Sequence, residues 1–577
     1  MPKVRSGATK SGSASGRRRS GKSEAIAKTQ RNGLEAALIV VSYIGSALGP
    51  RGRYKAMYKS DNFVTPVLVT KDGWEALNRL EIEHPAAKVM REAGKALHYS
   101  VGDGTITAMV LSGALLRRAE QLMRVEVHPS VIAEGYALAG DKALEIMKEL
   151  AQEFDIEDRE SVLKVARSCL ETKVPPEDAA FLAPMVADAV GKVKAYDGRG
   201  VFVDPDQIDV IKKTGGTLRD SKLINGIGLW REPTRYWMPY DVRDAKIAFI
   251  GEELQIRMAL MSPLFKPEIQ IKSPEQMKAF KDEERKMLMD KIQLVLDTGC
   301  NVIVSSKTYD DYVQVGLGRL GILAIRRALD ADIKRLAKAT GGNIIAETVN
   351  ITKDDLGYAE HIYVKNLEGD NWIFFEGCKD PKAVSILIRG SSQNVVETAG
   401  LAVKSAINSV DRAAREKAVF PGGGALEAEL AHRLKAWART LHGKRQLAAM
   451  RYAEALESIP TMLAQSCGLK PLDAMIKIRA EHANGSRWFG VDSARLQLAD
   501  MQGSGVLDVY AVKAQVLKTA TEVANTVIRV DGIFSRPKYI PKRKKHPGPG
   551  GQRVTAEMRD PDYHPPAEVR RFMKETW

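Results

Sequence analysis

Residues 100–110 read SVGDGTITAMV, an aspartate between two glycines with two threonines close behind. Three other stretches have a similar make-up: LGPRG at 48–52, TKDG at 70–73 and PGGGA at 421–425. The chemistry open to them is phosphate binding. A helix N-terminus offers free N–H groups and the positive end of its dipole to an anion. Glycine lets the backbone come close to a phosphate. One carboxylate, Asp103, suits a Mg²⁺ ion that already carries phosphates and waters, and the hydroxyls of Thr105 and Thr107 add contacts. Singly, each turn is better read as a helix cap. Together, read as four turns opening helices of one domain, they make a phosphate site.

Two other glycine motifs do not qualify. GRRRSGKS (16–23) has the spacing of a phosphate loop, but MPKVRSGATKSGSAS before it holds no apolar run for the strand such a loop needs. It reads as part of a disordered basic tail. GLGRLG (316–321) comes after the polar, helical KTYDDYVQV and ends no strand, with no acid at the right distance beyond it.

The elements that must position these turns emerge from periodicity. A helix is expected over 24–48, from a Ser23 cap to Gly49-Pro50. TPVLVTKDGWEAL is a strand into a turn with Asp72-Gly73 at the corner. HPAAKVMREAGKALHYS is a helix with Pro85 at its start. TITAMVLSGALLRRAEQLM is another, with Met109, Val110, Leu116 and Met123 on one side, so Gly102-Asp103-Gly104 is the join. Beyond residue 240, KIAFI, NVIVSS, ILAI and NIIAE alternate as strands with the helices SPEQMKAFKDEERKMLMDKIQLVLDTG and DADIKRLAKATG. This is an α/β layer with its own core. Long helices return after about residue 400. Gly215-Gly216 and Gly377–Lys379 are the hinge candidates.

The chain has 577 residues, too many for one core. Its +15 charge is local: residues 1–23 hold seven Lys/Arg and no acid, and 536–577 hold eleven against five acids, leaving the body near neutral. Cys169, Cys300, Cys378 and Cys467 form no Cys-x-x-Cys pair and have no His at ligand spacing, which reads as a reducing cytosol without structural zinc. The expectation is a cytoplasmic protein with no signal peptide and no membrane partner. The early apolar stretch LEAALIVVSYIGSAL contains Glu35 and is too short to span a bilayer.

The stretches IEHPAAKVMREAGKALHYSVGDGTITAMV, LGPRGRYK, LIRGSS, PGGGALEAEL, SCGLKPLDAMIKIRAEHANGSRWFGVD and VKAQVLKTATEVANTVIRVDGIF resemble the group II chaperonins, the archaeal thermosome and its eukaryotic cytosolic relatives. LAKATGGNII, DLGYAEHIYV and FFEGCKDPKAVSILIRG extend the likeness through the α/β region, so that it runs from about residue 24 to 534. The resemblance implies a multidomain α and α/β chaperonin fold. A mostly helical equatorial domain would be split between 24–153 and 405–535. A small intermediate domain would occupy 154–226 and 377–404, and an α/β apical domain with a built-in lid protrusion 227–376. The basic tails 1–23 and 536–577 would flank them. It further implies homo- or hetero-oligomeric double rings that enclose unfolded client proteins, with ATP and Mg²⁺ as cofactors. Carried over by motif, Asp103 is the Mg²⁺ ligand. Leu48, Gly49, Pro50, Gly104, Thr105 and Thr107 hold phosphates, and Gly422 and Gly423 lie against the nucleotide. Asp508 contacts the ribose, Lys173 senses the terminal phosphate, and Asp72 stands near the attacking water. LQIRMALMSPLFKPEIQI lies where the family has its lid, with the apolar run Met258 to Phe265 as a client-contacting or buried tip.

The chain departs from the pattern in three places. Counting back from Gly422, a second catalytic aspartate of the family falls on Ser405, with Lys404 beside it, and Asp411 lies six residues on, pointing elsewhere. A serine cannot take up charge or orient water as a carboxylate does, so hydrolysis is expected to be slow or absent. Three threonines after GDG become Thr105-Ile106-Thr107. The C-terminal tail is basic and Pro/Gly-rich, with a short helix near Pro566–Lys574. Such tails are either solvated or attract acidic clients or RNA in a salt-sensitive way. Three functions compete: an ATP-driven folding subunit, a hydrolysis-deficient structural, regulatory or holdase subunit assembling with active paralogues, and a basic scaffold for nucleic acid.

Overall fold

Buried side chains fall into layered cores that draw on distant parts of the chain. The computed structural model describes residues 32–57, 68–197, 200–254, 273–367, 369–378 and 383–532. Both basic tails, GRRRSGKS, the Ser23 cap and Met258 to Phe265 lie outside the described residues.

The first core is helical and joins the two ends of the chain. Ile44 of the helix over 32–45, Met90 and Leu97 of Pro85–Val101, Met109 and Leu116 of Thr105–Arg124, and Tyr136 of Pro129–Leu150 all lie in it. So do Leu430 of Ala425–Ala438, Tyr452 of Lys444–Leu456 and Leu517 of Tyr510–Ile528. Each such side chain contributes about 1.5–3 kcal/mol by leaving water. Small residues set the helix spacing: a Cβ on Gly135 would stand 2.4 Å from that of Ala448. Inside this core the Tyr136 hydroxyl donates to the Leu115 carbonyl at 2.9 Å and the Tyr452 hydroxyl bonds that of Thr521 at 2.8 Å.

A second core packs the helices Arg159–Glu171, Pro176–Val193 and Gln393–Glu416 on a three-stranded sheet. In that sheet Val384–Gly390 runs parallel to Ile208–Thr214 and antiparallel to Lys222–Ile224. The Gln393–Glu416 helix packs here from Val396 to Ala414.

The third region is the α/β layer. Its central strand Asp241–Ile250 is parallel to Val302–Ser305, with Val302 opposite Ile247, and antiparallel to Gly357–Leu367. Leu323–Ile325 extends one side, and Asp370–Cys378 and Gly226–Leu229 the other. Strand alternation serves two cores. Ile247 and Phe249 face one, with Leu336 of the Asp330–Thr340 helix, whereas Ala248 and Ile250 face the other, with Ile292 of Pro274–Asp297. Ser273 caps that last helix by accepting from the Gln276 N–H.

Two sequence expectations resolve here. Gly316 and Gly318 of GLGRLG sit inside the Asp311–Arg319 helix, where a Cβ on Gly318 would strike the Trp237 ring at 2.3 Å, so the glycine serves packing. LGPRG does not open a helix. It comes after the helix over 32–45 and leads into the Lys55–Met57 strand. The chain doubles back so tightly that a Cβ on Gly52 would fall 2.2 Å from the Ala47 carbonyl oxygen. Three of the four turns, not all, begin helices.

Gly135→Val is expected to destabilise the protein by about 1–3 kcal/mol through overpacking. Gly191→Ala, where a new Cβ meets nothing within 4 Å, should raise stability by about 0.5–1 kcal/mol. Urea unfolding midpoints of the two variants should move in opposite directions.

Candidate functional site

The turn between Pro85–Val101 and Thr105–Arg124 exists because Gly102 and Gly104 adopt left-handed φ values of 76° and 84°. Larger residues would be strained and blocked. A Cβ on Gly102 would lie 2.7 Å from the Asn408 amide nitrogen, and one on Gly104 would lie 2.8 Å from Val516. Gly104 is the N-cap of the second helix and provides no side-chain cap. Its first-turn N–H groups and dipole therefore remain available to an outside anion.

Asp103 points into a cluster drawn from two layers. Its Oδ1 pairs with Lys173 Nζ at 2.7 Å, and its Oδ2 accepts from the Cys169 thiol at 3.1 Å. Lys173 is 6 % exposed at its side chain, whereas Asp103 retains 25 %, on the open side. Burial pushes the Asp103 carboxyl up, but the Lys173 charge and the hydrogen bonds from Lys173, Cys169 and the Gly104 N–H outweigh it and hold the pKa below the ordinary value. The same burial, with Asp103 beside it, raises the Cys169 thiol to about 12, so it is a neutral donor. Against the burial that would lower it, the neighbouring Asp103 raises the Lys173 pKa.

Asp72 caps the short Gly73–Asn78 helix, its Oδ1 accepting from the Glu75 N–H at 2.9 Å. Gly73 lets this turn press on the first, since a Cβ there would lie 2.6 Å from Ile106 and 3.2 Å from Thr105. Lys71, which the motifs do not single out, is buried beside it. Its ammonium donates to the Pro50 carbonyl at 2.8 Å, lies over the Tyr54 ring and has no carboxylate partner among the described residues. Burial, Arg51 and Lys173 lower its pKa to about 8. Its only sequence signal is a lysine inside TKDG.

The PGGGA turn arrives from the other end of the chain. The Ala418–Pro421 strand pairs antiparallel with Leu507–Val509, placing Phe420 opposite Asp508. A Cβ on Gly422 would approach the Asp508 carboxylate at 3.4 Å. Gly423 and Gly424, both left-handed, lead into Ala425–Ala438, again with no side-chain cap. Asp508 pairs with Lys513 at 2.8 Å.

These turns enclose one cleft made of adjoining cavities of about 110 and about 120 Å³ that share Leu48, Gly49, Thr107, Thr172, Asp508 and Lys513. Asp72, Asp103, Gly104, Thr105 and Lys173 line the first, Pro50 and Gly423 the second, and Gly422 sits behind Asp508. Every candidate residue but Gly422, which lies against Asp508, therefore lines this cleft.

One face of Gln393–Glu416 runs beside it. The Thr398 hydroxyl donates to the Val69 carbonyl, Asn408 abuts Gly102 and the Ser409 hydroxyl reaches Cys169 Sγ at 3.6 Å. Residues spaced by three, four and seven share a helix face, so buried Ser405 belongs to this one, between the Asp72 and Asp103 turns. Asp411 is on another face, pairing with Arg415 and accepting from the Val203 N–H.

The chain matches the TCP-1/cpn60 chaperonin family over residues 40–538. It is 39% identical over 506 residues to a thermosome subunit of Methanopyrus kandleri, covering 88% of this chain and 92% of that one. It is 39% identical over 522 residues to thermosome subunit beta of Thermococcus kodakarensis, covering 90% and 94%. Among solved structures it resembles the open-state monomer of a group II chaperonin from Methanococcoides burtonii, with 32% identity, a TM-score of 0.55, and coverage of 74% of this chain and 100% of that one.

Lys173→Met strands the Asp103 carboxylate and is expected to cost about 3 kcal/mol, the low end for a broken buried pair because Asp103 is partly open. Adding Asp103→Asn should recover most of it, which a double-mutant cycle by thermal unfolding will read. The pair's contribution should be present above the ordinary carboxylate pKa of about 3.9 and lost as pH falls through the lower folded value of Asp103.

Proposed function

The chain belongs to the TCP-1/cpn60 chaperonin family, and we propose that it is an ATP-binding subunit of a double-ring chaperonin that encloses unfolded proteins and assists their folding. The observation that carries this is the meeting of LGPRG, TKDG, GDGT and PGGGA, from opposite ends of the chain, around one cleft.

The donor set fits a magnesium nucleotide. Asp103 would hold Mg²⁺, with Thr105 and Thr107 beside it. The uncapped starts of Thr105–Arg124 and Ala425–Ala438 supply N–H groups for anionic oxygens. Lys71, a buried cation without a carboxylate partner among the described residues, and Lys173 would supply positive charge. Leu48, Gly49 and Pro50 close one wall, and Gly422 and Gly423 leave room on the other. Asp508 would accept a ribose hydroxyl. Mg-ATP, when bound, supplies the anhydride whose cleavage drives a folding cycle. Asp72, 9% exposed at the edge of this cleft, would be the carboxylate that orients water and takes its proton.

The three core regions support the equatorial, intermediate and apical division, with Gly215-Gly216 and Gly377 as hinges. The four free cysteines fit a reducing cytosol. Among the described residues no helix is long and apolar enough to cross a membrane.

A second reading has one specific observation behind it. The helix face between the Asp72 and Asp103 turns presents Ser405, a residue without charge. This favours a subunit that binds Mg-ATP and turns it over slowly, acting as a structural, regulatory or holdase member beside active paralogues.

Purified protein should bind Mg-ATP by calorimetry, and Asp103→Ala should weaken binding at least tenfold. Steady-state turnover should be low, and Ser405→Asp should raise it by about 10²–10⁴-fold. Fast turnover indifferent to residue 405 would sink the second reading. Electron microscopy should show rings, alone or with a partner subunit; failure to form any would refute the ring assignment.

A further inference from the structure

Lys513 lies between two carboxylates, 2.7 Å from Glu427 Oε1 and 2.8 Å from Asp508 Oδ2. It ties the start of Ala425–Ala438 to the start of Tyr510–Ile528. The three groups differ in what they face. Side-chain exposure is 5% for Glu427 and 13% for Lys513, against 30% for Asp508, which lines the cleft. Asp508 Oδ1 has no hydrogen bond among the described residues, and Glu427 Oε2 is a buried oxygen without a partner. One ammonium thus serves two carboxylates, and the triad carries a net negative charge.

We propose that Glu427 is a positioning residue that makes Asp508 a reader of the nucleotide's ribose hydroxyls, by drawing off half of the Lys513 charge. The inference rests on the reading that Asp508 contacts the ribose. Alone with Asp508, the Lys513 ammonium would neutralise that carboxylate and compete for both its oxygens. Shared with Glu427, it pins Oδ2 only. Oδ1 remains an acceptor without a hydrogen bond among the described residues, on a side chain that lines the cleft, and a hydrogen bond to a charged acceptor is the stronger kind. Burial and the Glu427 charge, set against Lys513, also raise the Asp508 pKa, which marks a carboxylate short of donors. A hydroxyl donor relieves that shortage, and a nucleotide lacking it does not.

The test compares affinities for Mg-ATP, its 2′-deoxy and 3′-deoxy analogues, and Mg-tripolyphosphate, which has no ribose. Wild-type protein should prefer ATP over at least one deoxy analogue by about 10- to 100-fold. Glu427→Gln, which keeps shape and removes charge, should cut that ratio to about threefold or less while leaving tripolyphosphate affinity within about twofold. Glu427→Asp should restore part of the ratio. An unchanged ratio in Glu427→Gln overturns the proposal, and so does parallel loss of tripolyphosphate binding, which would make the residue merely structural. Asp508→Asn separates the two readings: if it leaves the ratio intact, the ribose role of Asp508 fails, whatever Glu427 does.

Discussion

The ion pair between Asp103 and Lys173 joins two layers at the point where the cleft is built. Asp103 comes from a glycine turn in the helical core, Lys173 from just beyond the Arg159–Glu171 helix of the second core. Away from bulk water their attraction is strong, and so is the cost of leaving either alone. Everything near the pair is arranged around it. Cys169 donates to the carboxylate's other oxygen, Ser409 reaches the thiol, and the Gly104 N–H closes the turn. A lysine already holds this carboxylate, so any change at Asp103 reaches the contact between the two layers.

Close backbone approach is the second constraint. Gly49, Gly73, Gly102, Gly104, Gly422 and Gly423 each have a neighbour where a Cβ would fall. Packing at these points is tighter than any side chain permits, which holds the turns close together around the cleft. Charge obeys the same plan: Lys71, Lys173 and Lys513 converge, and two of the three are answered by carboxylates, whereas among the described residues Lys71 meets a carbonyl and an aromatic face.

Much of this is legible in the chain. The glycine turns, the Pro85 and Ser273 helix starts and the alternating α/β strands obey local rules, and those elements form as expected. LGPRG departs from expectation because glycine and proline mark a turn without specifying the element after it; the Ala47 carbonyl against Gly52 decides that. Cys169 carries no local signal, since a lone cysteine gains its meaning from an aspartate 66 residues away. Glu427 and Lys513 are equally silent, lying on helices that meet only in the folded chain.

The sequence by itself determined where the glycine turns fall, that GLGRLG ends no strand, and that residue 405 carries no carboxylate. These are matters of residue type and short spacing, governed by backbone freedom and side-chain chemistry. Only the tertiary structure decided that the four turns share one cleft, that Ser405 lies on the helix face between two of them, and that a lysine already occupies Asp103. Those depend on contacts between residues tens to hundreds of positions apart, which no local pattern encodes and only the closing of the cores brings about.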